Sequence, residues 1–358
     1  MSVKGKHRKQ KLDELDRLIE RMRAAGNVAG EAVAHGQKAL VYATSGDLSA
    51  AAGELAKVSA LAEEEGRVEE MAMAHLARGK ALTARSADRT RAVEALDQAS
   101  ALFHVLEDRA REAEALKELA VLDVIAGDLT QAKARFSRAI ELLENVGEQD
   151  RDEQASADLT IELLRLRSRC HVLQRDPEAA IADLDAALAL AGQREALALP
   201  IRVERHTVQK YIAEGATPEQ LADLLHDAYR QDNIQVIGDV RLQQAAEALG
   251  DGDYRQALAL AQDARHAARD AGDLNRFVRY LLASLVMAEA HEELGDRPAV
   301  LAALLTCKVY LETHLGPEVG RHVDLLLDTL EQRWGRGALV EAVHEYRRRV
   351  EEHGPYTM

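Results

Sequence analysis

Apolar residues recur every three or four positions along most of the chain, with polar residues filling the intervals. That period puts the apolar side chains on one face of an α-helix. From 9 to 26 the face consists of Leu12, Leu15, Leu18, Ile19 and Met22. The helical stretches are broken at near-regular intervals by short turn signals. Gly46-Asp47-Leu48, Gly127-Asp128-Leu129, Gly252-Asp253-Tyr254 and Gly295-Asp296-Arg297 each end one apolar helix and begin another. Weaker versions stand at Ala87-Asp88, Arg175-Asp176-Pro177 and Gly215-Ala216-Thr217-Pro218, with a last one at Gly335. Their spacings run from about 37 to about 49 residues. Gly suits the left-handed conformation that closes a helix. Asp or Thr then accepts hydrogen bonds from the free N–H groups of the next helix. Pro177, Pro218 and Pro298 fall just inside that helix, where no N–H bond is lost.

Apolar residues also recur downstream of each turn, at offsets five, nine and twelve from the glycine position. They read Ala51, Leu55, Val58; Ala92, Leu96, Ala99; Ala132, Phe136, Ala139; Ala180, Leu184, Ala187; Ala257, Ala261, Ala264; and Val300, Leu304, Cys307. Leu221, Leu225 and Ala228 join them with a one-residue slip. These offsets share one helix face, on which small residues admit a close neighbour and the larger one fills the gap.

This small–large–small rhythm after a glycine turn resembles the tetratricopeptide repeat (TPR) family. GDLTQAKARFSRA from Gly127 and GDYRQALALAQDA from Gly252 carry the likeness most fully. The resemblance spans roughly residues 28 to 315 in units longer than the family's usual length of about 34. The family's bulky tryptophan is missing, and Asp123 stands where an aromatic is usual. The resemblance implies an all-α fold, a right-handed superhelical α-α solenoid of TPR-like helix pairs. Residues 1–26 read as a basic tail and N-terminal capping helix, 27–315 as about seven units, and 316–358 as C-terminal capping helices forming an eighth. The capping set is Leu325, Leu326, Leu327, Leu330, Trp334, Leu339, Val343 and Tyr346. Nothing rich in Gly, Ser or Pro interrupts the series, so one continuous domain is expected.

Composition supports helices: 47% of the 358 residues are hydrophobic but only 3% aromatic, so Ala and Leu dominate and few strand formers remain. Sixty-one acidic against 46 basic residues give a net charge of −15. That balance speaks against nucleic acid and anionic membranes, whose affinity comes largely from cations meeting phosphates. The basic start, Lys4 to Lys11, reads either as a solvated tail or as a small anionic contact. Cys170 and Cys307 lie in apolar helical patterns and read as buried hydrophobes of a reducing compartment. No apolar run spans a bilayer and no signal sequence opens the chain, so a cytoplasmic location is expected.

Catalytic and metal motifs fail on inspection. His291-Glu292-Glu293 matches the first half of a zinc-protease helix, but position 295 is Gly rather than His. Asp251-Gly252-Asp253 begins like a calcium loop, yet Tyr254, Arg255 and Gln256 supply no further ligands. No phosphate-cradling loop or nucleophile context occurs. No enzyme, cofactor or metal is expected.

In stacked helix pairs the first helix of each pair lines the inner groove. Carrying over the family's groove positions gives Gln37 and Thr44, then Arg78 and Arg85, then Lys117 and Glu118 with Val121, Val124 and Ile125. Arg165 and Arg169 follow, then His206 and Lys210, then Gln243 and Leu249, and finally Glu289, Glu292 and Glu293. The middle of the groove reads as basic in an acidic protein. It either binds an acidic partner segment or pairs internally with Glu and Asp of adjacent helices. Ala81 and Val121 stand where a carboxylate clamp for chaperone tails needs Asn, so that clamp is not expected. A protein or peptide partner follows, held by a scaffold or adaptor. The other reading is a regulatory sensor whose curvature responds to a peptide or small ligand.

Overall fold

The structure, a computed structural model, describes residues 3–83, 88–144, 153–210, 218–273 and 275–353. Among them are seventeen α-helices and no strand. The chain divides into two compact units, Met1–Gly192 and Gln193–Met358. The first holds α1 (Val3–Ala24) and four helix pairs. These are α2 (Val28–Thr44) with α3 (Leu48–Glu64), α4 (Val68–Thr83) with α5 (Arg89–Val105), α6 (Arg109–Ala126) with α7 (Leu129–Glu144), and α8 (Glu153–Leu173) with α9 (Pro177–Ala191). The second unit holds four more: α10 (Glu195–Val208) with α11 (Pro218–Arg230), α12 (Ile234–Gly250) with α13 (Tyr254–Asp270), α14 (Arg276–Glu293) with α15 (Arg297–Leu315), and α16 (Pro317–Trp334) with α17 (Arg336–His353).

The turns inside the pairs are built as their residues require. Asp47, Asp128, Asp176, Asp253 and Asp296 accept hydrogen bonds from the backbone N–H of Ala50, Gln131, Ala179, Gln256 and Ala299. Gly127 ends α6 at φ 81°, where only glycine is unstrained. Arg175 holds the corresponding position before α9 at φ 59°. The expected turns at Ala87 and at Gly215–Thr217 lie outside the described residues. Asn27, Asp108 and Asn233 cap α2, α6 and α12 in the same way, at the turns between pairs.

The interlocking stripe is real in most pairs. Ala92, Leu96, Ala99, Ala132, Phe136 and Ala139 are each fully buried, and so are Ala257, Ala261 and Ala264. Ala180, Leu184 and Ala187 behave alike, as do Val300, Leu304 and Cys307. In α11, Leu224 rather than Leu225 joins Leu221 and Ala228 in the core. In α3, Ala51 is buried but Leu55 and Val58 are only half covered. Glu54 turns inward instead and meets buried His35 of α2 at 2.6 Å. Burial raises the Glu54 carboxyl, but the His35 hydrogen bond, Lys57 and Lys38 outweigh it and hold the group below its ordinary range.

The helix α1 starts earlier than its apolar pattern and takes in the basic residues. It packs on α2 through buried Leu15 and Ile19. Lys38 of α2 reaches Asp16 at 2.5 Å, and Arg23 reaches Glu31 at 2.6 Å. In the second unit, Val323, Leu330 and Ala342 of the last pair join the core around Tyr280, Leu304 and Cys307. Leu325, expected in that core, is instead 64% exposed. Its neighbours Leu326 and Leu327 take the inward positions. Cys170 and Cys307 are buried free thiols.

Candidate functional site

In the first unit the first helices of successive pairs touch, α4 with α6 and α6 with α8. Polar contacts lace this wall. Arg111 of α6 meets Glu69 of α4 at 2.9 Å, and Lys80 of α4 pairs with Glu114 of α6. Lys117 of α6 donates to both oxygens of Glu162 on α8 at 3.1 Å and lies 3.7 Å from Glu118. Much of the basic character expected of this face is therefore matched by acids on adjacent helices. Between α6 and α8 lies a cleft of about 490 Å³ whose lining includes Arg111, Lys117, Ser156, Leu159 and Glu162.

Val121 and Val124 are half-buried on α6, and Ile125 beside them is 60% exposed. Arg78 of α4 is half-buried, and its Nε finds no hydrogen-bond partner. Among the described residues it makes no ion pair. Neighbouring His75 is pushed below its ordinary range, first by burial and then by the Arg78 charge. On α8, Arg165 is half-buried and Arg169 exposed. Arg85 lies outside the described residues.

In the second unit, Lys210 meets Glu247 of α12 at 2.6 Å. His206 is only 4% exposed, so its imidazole is packed within the unit rather than presented to a ligand. The first helices here carry a buried cation that the sequence pattern did not single out. Arg279 of α14, 6% exposed, donates to Asp239 of α12 at 2.7 Å and to Asp273. Burial pushes the Asp239 carboxyl up to about 6, against the Arg279 charge and hydrogen bond and with Asp273 and Glu204 adding to the rise. The Asp239 side chain keeps 42% of its surface open, so water moderates the effect. Glu292, expected on an acidic end of the groove, accepts hydrogen bonds from Arg333 at 2.9 Å and from the Trp334 indole at 2.8 Å.

Burial pushes both thiols above their ordinary range, which disfavours the reactive thiolate. The described residues bring together no group of three or more His, Cys, Asp or Glu able to hold a metal. No described helix is long and apolar enough to cross a membrane.

No protein-family model matches the sequence, and no curated protein does. Solved structures align with much of the chain. Aspartyl phosphate phosphatase F from Bacillus subtilis is 11% identical over 93% of this chain and 95% of that one, with a TM-score of 0.52. BtubC from P. vanneervenii is 15% identical over 62% and 87%, at 0.44. The TPR domain of P58(IPK) is 16% identical over 91% and 99%, at 0.26. The first of these similarities extends over nearly the whole of both chains and speaks to fold alone. The buried small–large–small stripe and the paired helices agree with it, and the chain has an all-α, TPR-like fold of repeated helix pairs.

Proposed function

We propose that the chain is a protein-interaction scaffold, and that the first-helix wall of its first unit takes an acidic partner segment. The observation that carries this reading is the surface of α4, α6 and α8. Half-buried Val121 and Val124 and exposed Ile125 make an apolar strip, with Arg78 on one neighbouring helix and Arg165 and Arg169 on the other. An extended acidic peptide suits such a strip, because an arginine fork grips a carboxylate with two parallel hydrogen bonds. The internal pairing of Lys117 is no bar. Glu162 is half-exposed, and ion pairs of that kind hold only about 0–1 kcal/mol, which an incoming carboxylate replaces.

Selection of a random peptide library on the immobilised chain tests this reading. Acidic sequences with one or two apolar residues should be enriched. The Arg165→Glu/Arg169→Glu variant should lose that enrichment, with roughly tenfold or greater weakening of individual peptides by fluorescence anisotropy, as for loss of charge-assisted hydrogen bonds. Equal enrichment by parent and variant would remove the site from this wall.

A further inference from the structure

The second unit contains a cleft of about 470 Å³ framed by α13, α14 and α15, away from the first-helix contacts described above. Volumes of this order hold small organic ligands. Its polar lining carries two guanidinium cations and two imidazoles. Arg265, His266 and Arg269 come from successive turns of α13, and His314 from the end of α15. Asp270 is the one carboxylate in the lining. Among the described residues neither Arg265 nor Arg269 has an ion-pair partner, in a chain with 15 more acids than bases. Elsewhere in the same unit, Arg279, Lys308 and Arg349 are each held by carboxylates.

The floor is aromatic. The rings of Tyr280 and Tyr310 stack at 4.0 Å and 20°, and the Arg265 guanidinium lies 5.4 Å over Tyr280. His314 sits 4.5 Å from the Tyr310 ring. The Tyr280 ring is buried, and its hydroxyl, like that of Tyr310, bonds to no group among the described residues. Burial pushes the Tyr280 hydroxyl above its ordinary range, with Arg265 opposing, so it stays a donor near neutral pH.

From this arrangement we infer that the cleft is a binding site for a phosphomonoester. With His314 donating its Nδ1–H to the Tyr310 carbonyl, two guanidinium forks, the His266 imidazole and two tyrosine hydroxyls offer more donors than the two oxygens of a carboxylate can accept. They match the three terminal oxygens and double charge of a phosphate. The remaining volume and the exposed Val309 side leave room for the organic part of the ligand. The inference is independent of the acidic-segment reading, which rests on the other unit.

Calorimetric titration of the full chain with inorganic phosphate, phenyl phosphate and a phosphotyrosine peptide tests it. Phenyl phosphate should bind, and inorganic phosphate more weakly. The Arg265→Gln/Arg269→Gln variant should weaken phenyl phosphate by roughly thirtyfold or more, as for loss of two charge-assisted contacts. Tyr280→Phe keeps the ring and should weaken it by about tenfold through loss of one hydrogen bond to a charged group. Arg255→Gln, an exposed arginine on the same helix outside the cleft, should leave it within about twofold, because such a charge is screened. Much tighter binding of the peptide would assign the phosphate to a protein segment, and equal binding to a small molecule. No binding of any probe, or losses no larger than that of Arg255→Gln, would overturn the site.

Discussion

The pairs α4–α7 of the first unit and α12–α15 of the second use one repeat grammar to build different interiors. In the first, Leu96 and Phe136 fill the spaces between helices lined by alanine, and the buried carboxyls of α6 are peripheral pairs, Asp123 with Arg135 of α7 at 2.7 Å and Glu112 with His104 of α5 at 3.2 Å. In the second, the corresponding residue of α13 is Ala261, and the neighbouring first helix brings buried Arg279 and Tyr280. The second arrangement gives up apolar filling for a charged wall on one helix face and an aromatic cleft on another. Stability should therefore depend more on packing in the first region and more on charge in the second.

The largest break in that comparison should come from Phe136→Ala. The ring is fully buried, and its loss leaves a cavity that surrounding backbone cannot close. Urea unfolding followed by circular dichroism should show a loss of about 3–5 kcal/mol. A loss under about 1 kcal/mol would mean that the interlock is loose. Gly79→Ala probes the same packing more gently. A methyl group there would collide with fully buried Leu96, at a typical overpacking cost of about 1–3 kcal/mol. Replacing a helical glycine returns about 0.5–1 kcal/mol, so a net loss of about 1 kcal/mol is expected. Gly53→Ala, in α3 with nothing within 4 Å, should instead stabilise by about 0.5–1 kcal/mol. Two substitutions of the same type with opposite signs would establish that contact with Leu96, and not helix propensity, decides the outcome.

The repeat was legible because its signals are local. Glycine and aspartate announce each turn within three residues, and Ala132, Phe136 and Ala139 show their shared face by spacing alone. Legibility failed where a side chain's partner is distant in sequence. Lys117 reads as a groove cation until Glu162, 45 residues on, is seen to hold it. Two of the turns between pairs were also hidden. Glu107 and Asp232 adopt left-handed backbone at φ 57° and 50°, where no glycine marks the position. The cleft of the second unit had one faint signal. In a chain with 3% aromatic residues, Phe277, Tyr280 and Tyr310 gather on two successive helices. Only the fold brings the α13 arginines onto them.

The smallest effect should be electrostatic and confined to the second unit. Asp239 has its carboxyl raised to about 6 from the ordinary 3.8. A raised carboxyl binds its proton more tightly in the folded state than in the unfolded one. The folded state is therefore favoured while the group is protonated, and that advantage is lost as pH rises from about 4 to about 6. Above that window the carboxylate is charged in both states, and the Arg279 bond only partly offsets its surroundings. Asp239→Asn keeps an oxygen to accept from Arg279 Nε but cannot titrate. Thermal melts between pH 4 and 8 should show the variant losing less stability than the parent as pH rises from about 4 to about 6, with the difference between them constant above about pH 7. Parallel pH profiles would mean that water reaching the open side of Asp239 cancels the shift. The contrast between the two regions would then rest on packing alone.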